Sequence, residues 1–432
     1  MNTSQFSINL PLDLFGCIID ALAAASKWDT VKAFSAVHSH VRPLCTKHLF
    51  SKIRLVDSSG GGATLPVNQV RHLLERNSQL AFYIKDLTVF VDITEPDLPF
   101  ILDKLQDVHT LSINGSPLGA YLAQQATFPP PLKISLQRLI RARSVKHLRF
   151  DYISILPFIN IPSILAGVPS LKTLCISHYC DLHNDEAHIL PAATAPIPHP
   201  TSFTLAVESS LNVGMSLLAS KRPDGLPFVD FESLEILSLL NISVDSVGGM
   251  DLVRGCLRAP TVLRSLSLEA TQLLGSTPFG FVDHMNLASQ KTLQHLKLEF
   301  TLMGAGDPYL GTYKDLETLA SAVGGESGSA LQSLEIAVTL DLQHQSDFDH
   351  FTDPQLWRRL EMGVLSKFTR LRECSVEVSF CMQDADAFFQ KLSLALDEAF
   401  RAMVNERTYF KYSVDGPKEV TPATSGMPEG GE

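Results

Sequence analysis

The sequence predicts an α/β chain: a three-helix unit at the N-terminus, then an irregular solenoid of short parallel strands and helices. Three observations predict it. Large apolar residues recur at helical spacing through about the first 50 residues. A pattern of apolar, two variable, apolar, variable, apolar then recurs along most of the chain. Amphipathic stretches of helical period fall between its copies.

The N-terminal elements come first. In LPLDLFGCIIDAL, Pro11 suits the first turn of a helix because its missing N–H would be unpaired there, and Asp13 sits at the positive end of the helix dipole. Leu14, Ile18 and Leu22 recur four apart and Ile19 widens the stripe. In TVKAFSAVHSHV, Val31, Phe34, Val37 and Val41 are spaced for a second helix, and a third element after Ser39 holds Leu44, Leu49 and Phe50. So many large apolar groups in so small a unit imply that another chain covers part of its surface. The stretch is not a secretion signal: no Lys or Arg precedes Lys27, and Asp13 and Asp20 interrupt the apolar run.

Composition excludes several classes. The 432 residues are 45% apolar and 19% charged with a formal net charge of -11, which describes a mildly acidic globular protein. Lys and Arg form no basic run, which argues against nucleic acid as a partner. No apolar segment reaches the roughly 18 residues that span a bilayer, so no membrane partner is expected. Seven cysteines, an odd number irregularly spaced, point to a reducing compartment, cytoplasmic and/or nuclear.

Residues 57–64, within DSSGGGATLP, read as a Gly/Ser linker that closes an N-terminal domain of residues 1–56. The repeat domain follows over residues 65–412. Its copies are IKDLTV from Ile84, VHTLSI from Val108, VKHLRF from Val145, LKTLCI from Leu171, LEILSL from Leu234, LRSLSL from Leu263, LQHLKL from Leu293 and LQSLEI from Leu331. LRECSV from Leu371 is a variant and SFTLAV from Ser202 a degenerate member. Each copy predicts a short strand with two apolar side chains in the core, and a helix or loop returns the chain to a parallel neighbour. Helical returns are visible in LPVNQVRHLLERN, DPQLWRRLEMGVLSKF and DADAFFQKLSLALDEAFRAMV. Intervals between most copies are longer and less regular than in ordinary leucine-rich repeats, and Asn114 and Asn241 form no asparagine series. Residues 413–432, rich in Pro, Gly and charge, read as a disordered tail.

The residues Leu10-Pro11, Asp13, Leu14, Ile18-Ile19 and Leu22 match the opening of the F-box, LPxELxxxILxxL, and the chain as a whole resembles fungal F-box proteins with a leucine-rich-repeat-like C-terminal domain. Val41 and Phe50 stand roughly where many members carry an aromatic residue and a Trp. The resemblance implies the substrate-recognition subunit of an SCF-type E3 ubiquitin ligase, which docks on a Skp-type adaptor and, through it, reaches the cullin and RING subunits. It implies an adaptor face of Leu10, Pro11, Leu14, Ile18, Ile19, Leu22, Val31, Phe34 and Val37. Such a receptor is no enzyme and needs no cofactor; it binds an unknown protein substrate and acts by proximity. The alternative is an F-box protein acting as a non-ligase scaffold or interaction module.

In a solenoid of this kind the variable residue within LxL and the one beyond it face the concave side. Candidates for substrate contact are Arg149, Asp151, Glu208, Glu269, Lys297, Glu299, Glu335 and Glu377, accompanied by Ser177, Ser238 and Ser267. Acids prevail toward the C-terminal half, which suits a ligand of basic character; the plainer reading is that charge keeps an exposed strand soluble. Cys175, His178, Cys180, His183 and His188 lie close together in sequence, but without the paired spacing of a zinc site, so no metal is expected. SSGGGAT and VGGESGS lack the Lys of a phosphate loop, and neither GxSxG nor HExxH occurs.

Overall fold

Alternation turns the repeated pattern into strands. In LQHLKL, Leu296 and Leu298 fall two apart and leave the backbone on one side, while His295 and Lys297 leave on the other. The computed structural model of the chain describes residues 12–37, 39–56, 65–90, 96–115, 130–151, 161–165, 167–177, 196–244, 246–273, 280–303, 310–322, 330–341, 351–363, 368, 370–381, 386–406 and 410–415. The described chain is α/β, and it divides into two compact units, one of residues 1–198 with 221–229, the other of residues 199–220 with 230–432.

The first unit opens with three helices, α1 (Leu12–Ala24), α2 (Trp28–Val37) and α3 (Arg42–Leu49). Ile19, Val31, Val41 and Cys45 form their shared core, with Phe15, Leu22, Phe34, Leu44 and Leu49 packed around it. Strands β1 (Lys52–Val56), β2 (Leu65–Pro66), β3 (Asp86–Phe90), β4 (Thr110–Asn114), β5 (His147–Asp151) and β6 (Thr173–Ser177) follow. They pair in the order β2-β1-β3-β4-β5-β6, every pair parallel. Between them run α4 (Val67–Arg76), α5 (Leu80–Tyr83), α6 (Leu98–Lys104), α7 (Pro130–Ile140) and α8 (Ile161–Leu165).

The second unit holds β7 (Ser202–Ala206), β8 (Ile236–Ser243), β9 (Ser265–Leu273), β10 (His295–Met303), β11 (Ser333–Asp341), β12 (Glu373–Cys381) and β13 (Phe410–Asp415). These lie side by side in sequence order and are all parallel. Its helices are α9 (Leu211–Ala219), α10 (Val247–Arg258), α11 (Phe281–His284), α12 (Leu287–Thr292), α13 (Leu310–Ala322), α14 (Pro354–Gly363) and α15 (Asp386–Glu406).

Every copy of the sequence pattern contains a strand, and the copies align in register, as in Leu266, Leu296, Leu334 and Cys374 across β9 to β12. All three apolar positions of a copy are buried; Leu293, Leu296 and Leu298 are at most 2% exposed. The residue just before each strand extends the ladder through its backbone. Lys85 N–H donates to Ser51 O, His109 to Lys85, Lys146 to His109 and Lys172 to Lys146; Arg264, Gln294, Gln332 and Arg372 continue the same arrangement in the second unit. Register is thus fixed by hydrogen bonds and by the apolar face together.

Some elements exceed the sequence reading. Lys52–Val56, grouped there with the N-terminal helices, is a strand paired with β3. The chain also continues in strand conformation to Asp415, so residues 413–415 belong to β13 rather than to a tail. The expected linker, 57–64, and the rest of the expected tail, 416–432, lie outside the described residues. Strands in the second unit reach eight or nine residues because the alternation outlasts LxL: Leu268 and Ala270 on β9, Leu298 and Phe300 on β10, and Ile336, Val338 and Leu340 on β11 are all buried. One irregularity lies in β8, where register shifts between Leu239 and Ile242 and Asn241 takes a left-handed φ of 52°. Asn is the side-chain-bearing residue that best tolerates this conformation.

Helices cover the apolar side. α9 and α10 approach closely because glycines face leucines: a Cβ on Gly214 would meet Leu252 at 2.7 Å, and one on Gly255 would meet Leu218 at 2.7 Å. Toward the C-terminus, buried Trp357 donates its Nε1–H to Phe351 O at 2.9 Å and stands edge-on to Phe400, with ring centroids 6.4 Å apart. Among the described residues no helix is long and apolar enough to cross a membrane.

Candidate partner-binding surfaces

Two surfaces collect the candidate residues. The first is the outer side of α1. A helix of this length turns its residues through every direction, and burial of Ile19 fixes which side faces inward. Ile19 and Val31 are fully buried, so these two residues, expected on a partner face, belong to the core of the helical unit. Leu22 and Phe34 pack against that core and are partly exposed. Leu14 and Ile18, one turn apart on the same side of α1, point outward at 47% and 37% exposure; Leu12, which the sequence reading did not single out, is 52% exposed on another side of the helix. Val37 lies on α2. Leu10 and Pro11 lie outside the described residues.

The helical unit is braced by charge on a different side of α1. Asp20 accepts from His48 at 2.6 Å and stands 3.5 Å from Lys47, tying α1 to α3. The hydrogen bond with His48, then the charge of Lys47, hold the Asp20 carboxyl below its ordinary value. The outward apolar edge therefore sits on a helix whose orientation is fixed from behind by Ile19 and laterally by Asp20.

The second surface is the polar side of the sheet in the second unit. Parallel register places its residues in rows. One row runs Ser238, Ser267, Lys297, Glu335, Ser375, Lys411. The next runs Glu269, Glu299, Ala337, Glu377, Ser413, and a third Thr271, Thr301, Thr339, Ser379, Asp415. The structure thus brings Glu269, Lys297, Glu299, Glu335 and Glu377 onto one face. Lys297 pairs with Glu299 at 3.3 Å, and Thr339 and Ser379 hydroxyls meet at 2.9 Å. Glu373, Lys411 and Asp415 share the face and were missed; Glu373 had a signal, lying four positions from Glu377 on one strand, whereas Lys411 and Asp415 are placed only by the pairing of β13 to β12.

Glu208, expected on this face, does not reach it. It lies in a 3-10 turn, Glu208–Ser210, beyond the end of β7. The degenerate copy SFTLAV ends its strand at Ala206, too early to carry Glu208. Arg149 and Asp151 share a face of β5 in the first unit, where the nearly buried Asp151 carboxylate accepts from Arg149 at 2.8 Å. Cys175 lies on β6, its Sγ 3.5 Å from the Ser177 hydroxyl, while His178, Cys180, His183 and His188 lie outside the described residues. Among the described residues no three His, Cys, Asp or Glu side chains converge as metal ligands. The buried Cys256 thiol is pushed up to about 12 by burial, the opposite of what a nucleophile needs.

These surfaces offer shape, apolar area and charge, the means of binding another macromolecule. No protein-family model matches the chain, and no curated protein matches it.

Proposed function

We propose that the chain is the substrate-recognition subunit of an SCF-type ubiquitin ligase, docking on a Skp-type adaptor through α1 to α3 and holding a protein substrate on the polar sheet face of leucine-rich-repeat-like units. The observation that carries this reading is the apolar edge of α1, Leu14 and Ile18, exposed shortly after the Leu-Pro pair that opens an F-box-like pattern. An exposed apolar stripe on a small helical unit is stabilised by a partner and costs solubility without one. Repeat units that bury one face and present rows of polar side chains on the other suit a gripping role. The chain would perform no bond chemistry; it would raise the effective concentration of a substrate lysine near the charged conjugating enzyme, in the cytoplasm or nucleus.

Co-purification with a recombinant Skp-type adaptor tests the reading. The intact chain is expected to bind, and Leu14→Glu with Ile18→Glu to weaken binding a hundredfold or more, as expected for anchors worth roughly 3 kcal/mol together. Both side chains face solvent, so the variant keeps its fold, which circular dichroism checks. Absence of adaptor binding by the intact chain, or unchanged binding by the variant, overturns the proposal. Adaptor binding without cullin association would instead assign a scaffold role.

A further inference from the structure

Three nitrogen-bearing side chains of the second unit meet where α10 and α11 pack. Arg254 and Arg258 lie four residues apart on α10, on the same side of the helix, and His284 ends α11. Arg254 Nε–H donates to His284 Nε2 at 3.2 Å, and an Arg258 Nη2 lies 3.5 Å from His284 Nδ1. A neutral imidazole has one acceptor nitrogen and one N–H, while a guanidinium has donors only. If Nε2 accepts from Arg254, Nδ1 carries the hydrogen and points it at Arg258. The other tautomer moves the same conflict to Arg254, and protonation creates it at both nitrogens. In every state at least one pair of donors faces each other with no acceptor between them.

The surrounding charges do not remove the conflict. Asp251 accepts from Arg254 Nη1 at 3.0 Å, and Asp283 beside His284 is exposed. Asp315 on α13 accepts from the Phe281 N–H at the opposite end of α11. Arg258 has no carboxylate partner among the described residues. Burial first, then the charges of Arg254 and Arg258, hold His284 below the ordinary histidine range.

We propose that this junction binds a phosphate-type oxyanion, which accepts from the Arg258 guanidinium and from the facing imidazole N–H at once. An acceptor with oxygens in several directions can meet a guanidinium fork and a ring N–H at once, and phosphate supplies it with the charge to match. The same chemistry serves free phosphate and a phosphorylated side chain.

Thermal unfolding of the full chain in inorganic phosphate, against chloride at equal ionic strength, reads the binding. Saturable stabilisation with a Kd on the order of 1 mM is expected. Arg258→Gln, at an exposed position, should weaken it about tenfold or more without lowering Tm in chloride, since it removes one of the two facing donors. Asp251→Asn should tighten it by removing a competing carboxylate. A peptide with one phosphoserine, compared with its unphosphorylated twin, separates the sources: binding at least tenfold tighter than inorganic phosphate assigns the site to a phosphorylated chain, and equal or weaker binding to the free anion. No saturable effect of either probe, or the same effect in Arg258→Gln, overturns the proposal.

Discussion

The polar sheet faces of the two units are built on one repeated pattern and differ in charge. In the first unit strands are five residues long in most cases, and charges on the face have close partners: Lys52 stands 3.8 Å from Asp86, Arg149 is 2.8 Å from Asp151, and Arg54 lies over the Phe90 ring at 4.7 Å. In the second unit the longer strands carry Glu269, Glu299, Glu335, Glu373 and Glu377 against Lys297 and Lys411, with Glu269 and Glu299 directly opposite each other in register. The buried side of the pattern is constrained by packing in both units. The other side is constrained only by what it meets, so a face left with unbalanced charge is one that a partner of opposite charge would recognise.

The sharpest way to break this comparison is through the side the units share. Phe150 on β5, at the third apolar position of its copy, and Phe300 on β10, two residues beyond that position on the same alternation, are both buried, at 0% and 4% exposure. Phe150→Ala and Phe300→Ala should each cost about 3–5 kcal/mol in denaturant unfolding. A tolerant site in either unit would mean that its core is not built by the pattern.

Next in size are two carboxyls with opposite pH behaviour. In the second unit, burial pushes Asp315 up to about 7 despite the backbone N–H groups of Phe281, Val282 and Gly280. A carboxyl raised on folding contributes most below its unfolded value of 3.8, and that contribution is lost as pH rises toward about 7. Wild type should therefore lose up to a few kcal/mol relative to Asp315→Asn between those values, the Asn amide oxygen keeping an acceptor for Phe281. In the first unit, the contact with Lys85 holds Asp107 below its ordinary value. Its contribution is present above the unfolded carboxylate range and is lost as pH falls, so Asp107→Asn should narrow the difference from wild type in acid. Stability curves of the two variants against pH that slope the same way would contradict the assignment.

How much of this was legible in the sequence depends on which side of the chain a residue serves. The strands β3 to β12 follow from LxxLxL because three buried positions leave a strong periodic trace. β13 left none: FKYSVD lacks the leading LxxL, and its burial fades along the strand. β1 was hidden because KIRL follows an apolar helix without a break. On the helical unit, spacing identified the apolar residues but could not divide Ile19 and Val31, which meet inside, from Leu14 and Ile18, which do not. Three packed helices set that division. Arg254, Arg258 and His284 could not be grouped at all, since the last is 26 residues from its nearer arginine and only the stacking of α10 and α11 joins them.

The smallest effects separate the two polar faces most directly. Asp151 is 8% exposed, and its carboxylate is balanced by Arg149, so Arg149→Ala leaves charge in a place water reaches poorly and should cost about 1–2 kcal/mol, discounted for the exposure of the arginine. Glu299 sits between opposing influences, attracted by Lys297 at 3.3 Å and repelled by Glu269 across the ladder. Both partners are half-exposed, so Glu299→Gln removes an attraction and a repulsion of similar size and should change stability by less than about 0.5 kcal/mol. Urea unfolding of both variants measures the contrast. A cost at Glu299 as large as that at Arg149 would mean the second face is internally satisfied like the first, and the case for a basic partner on it would be lost.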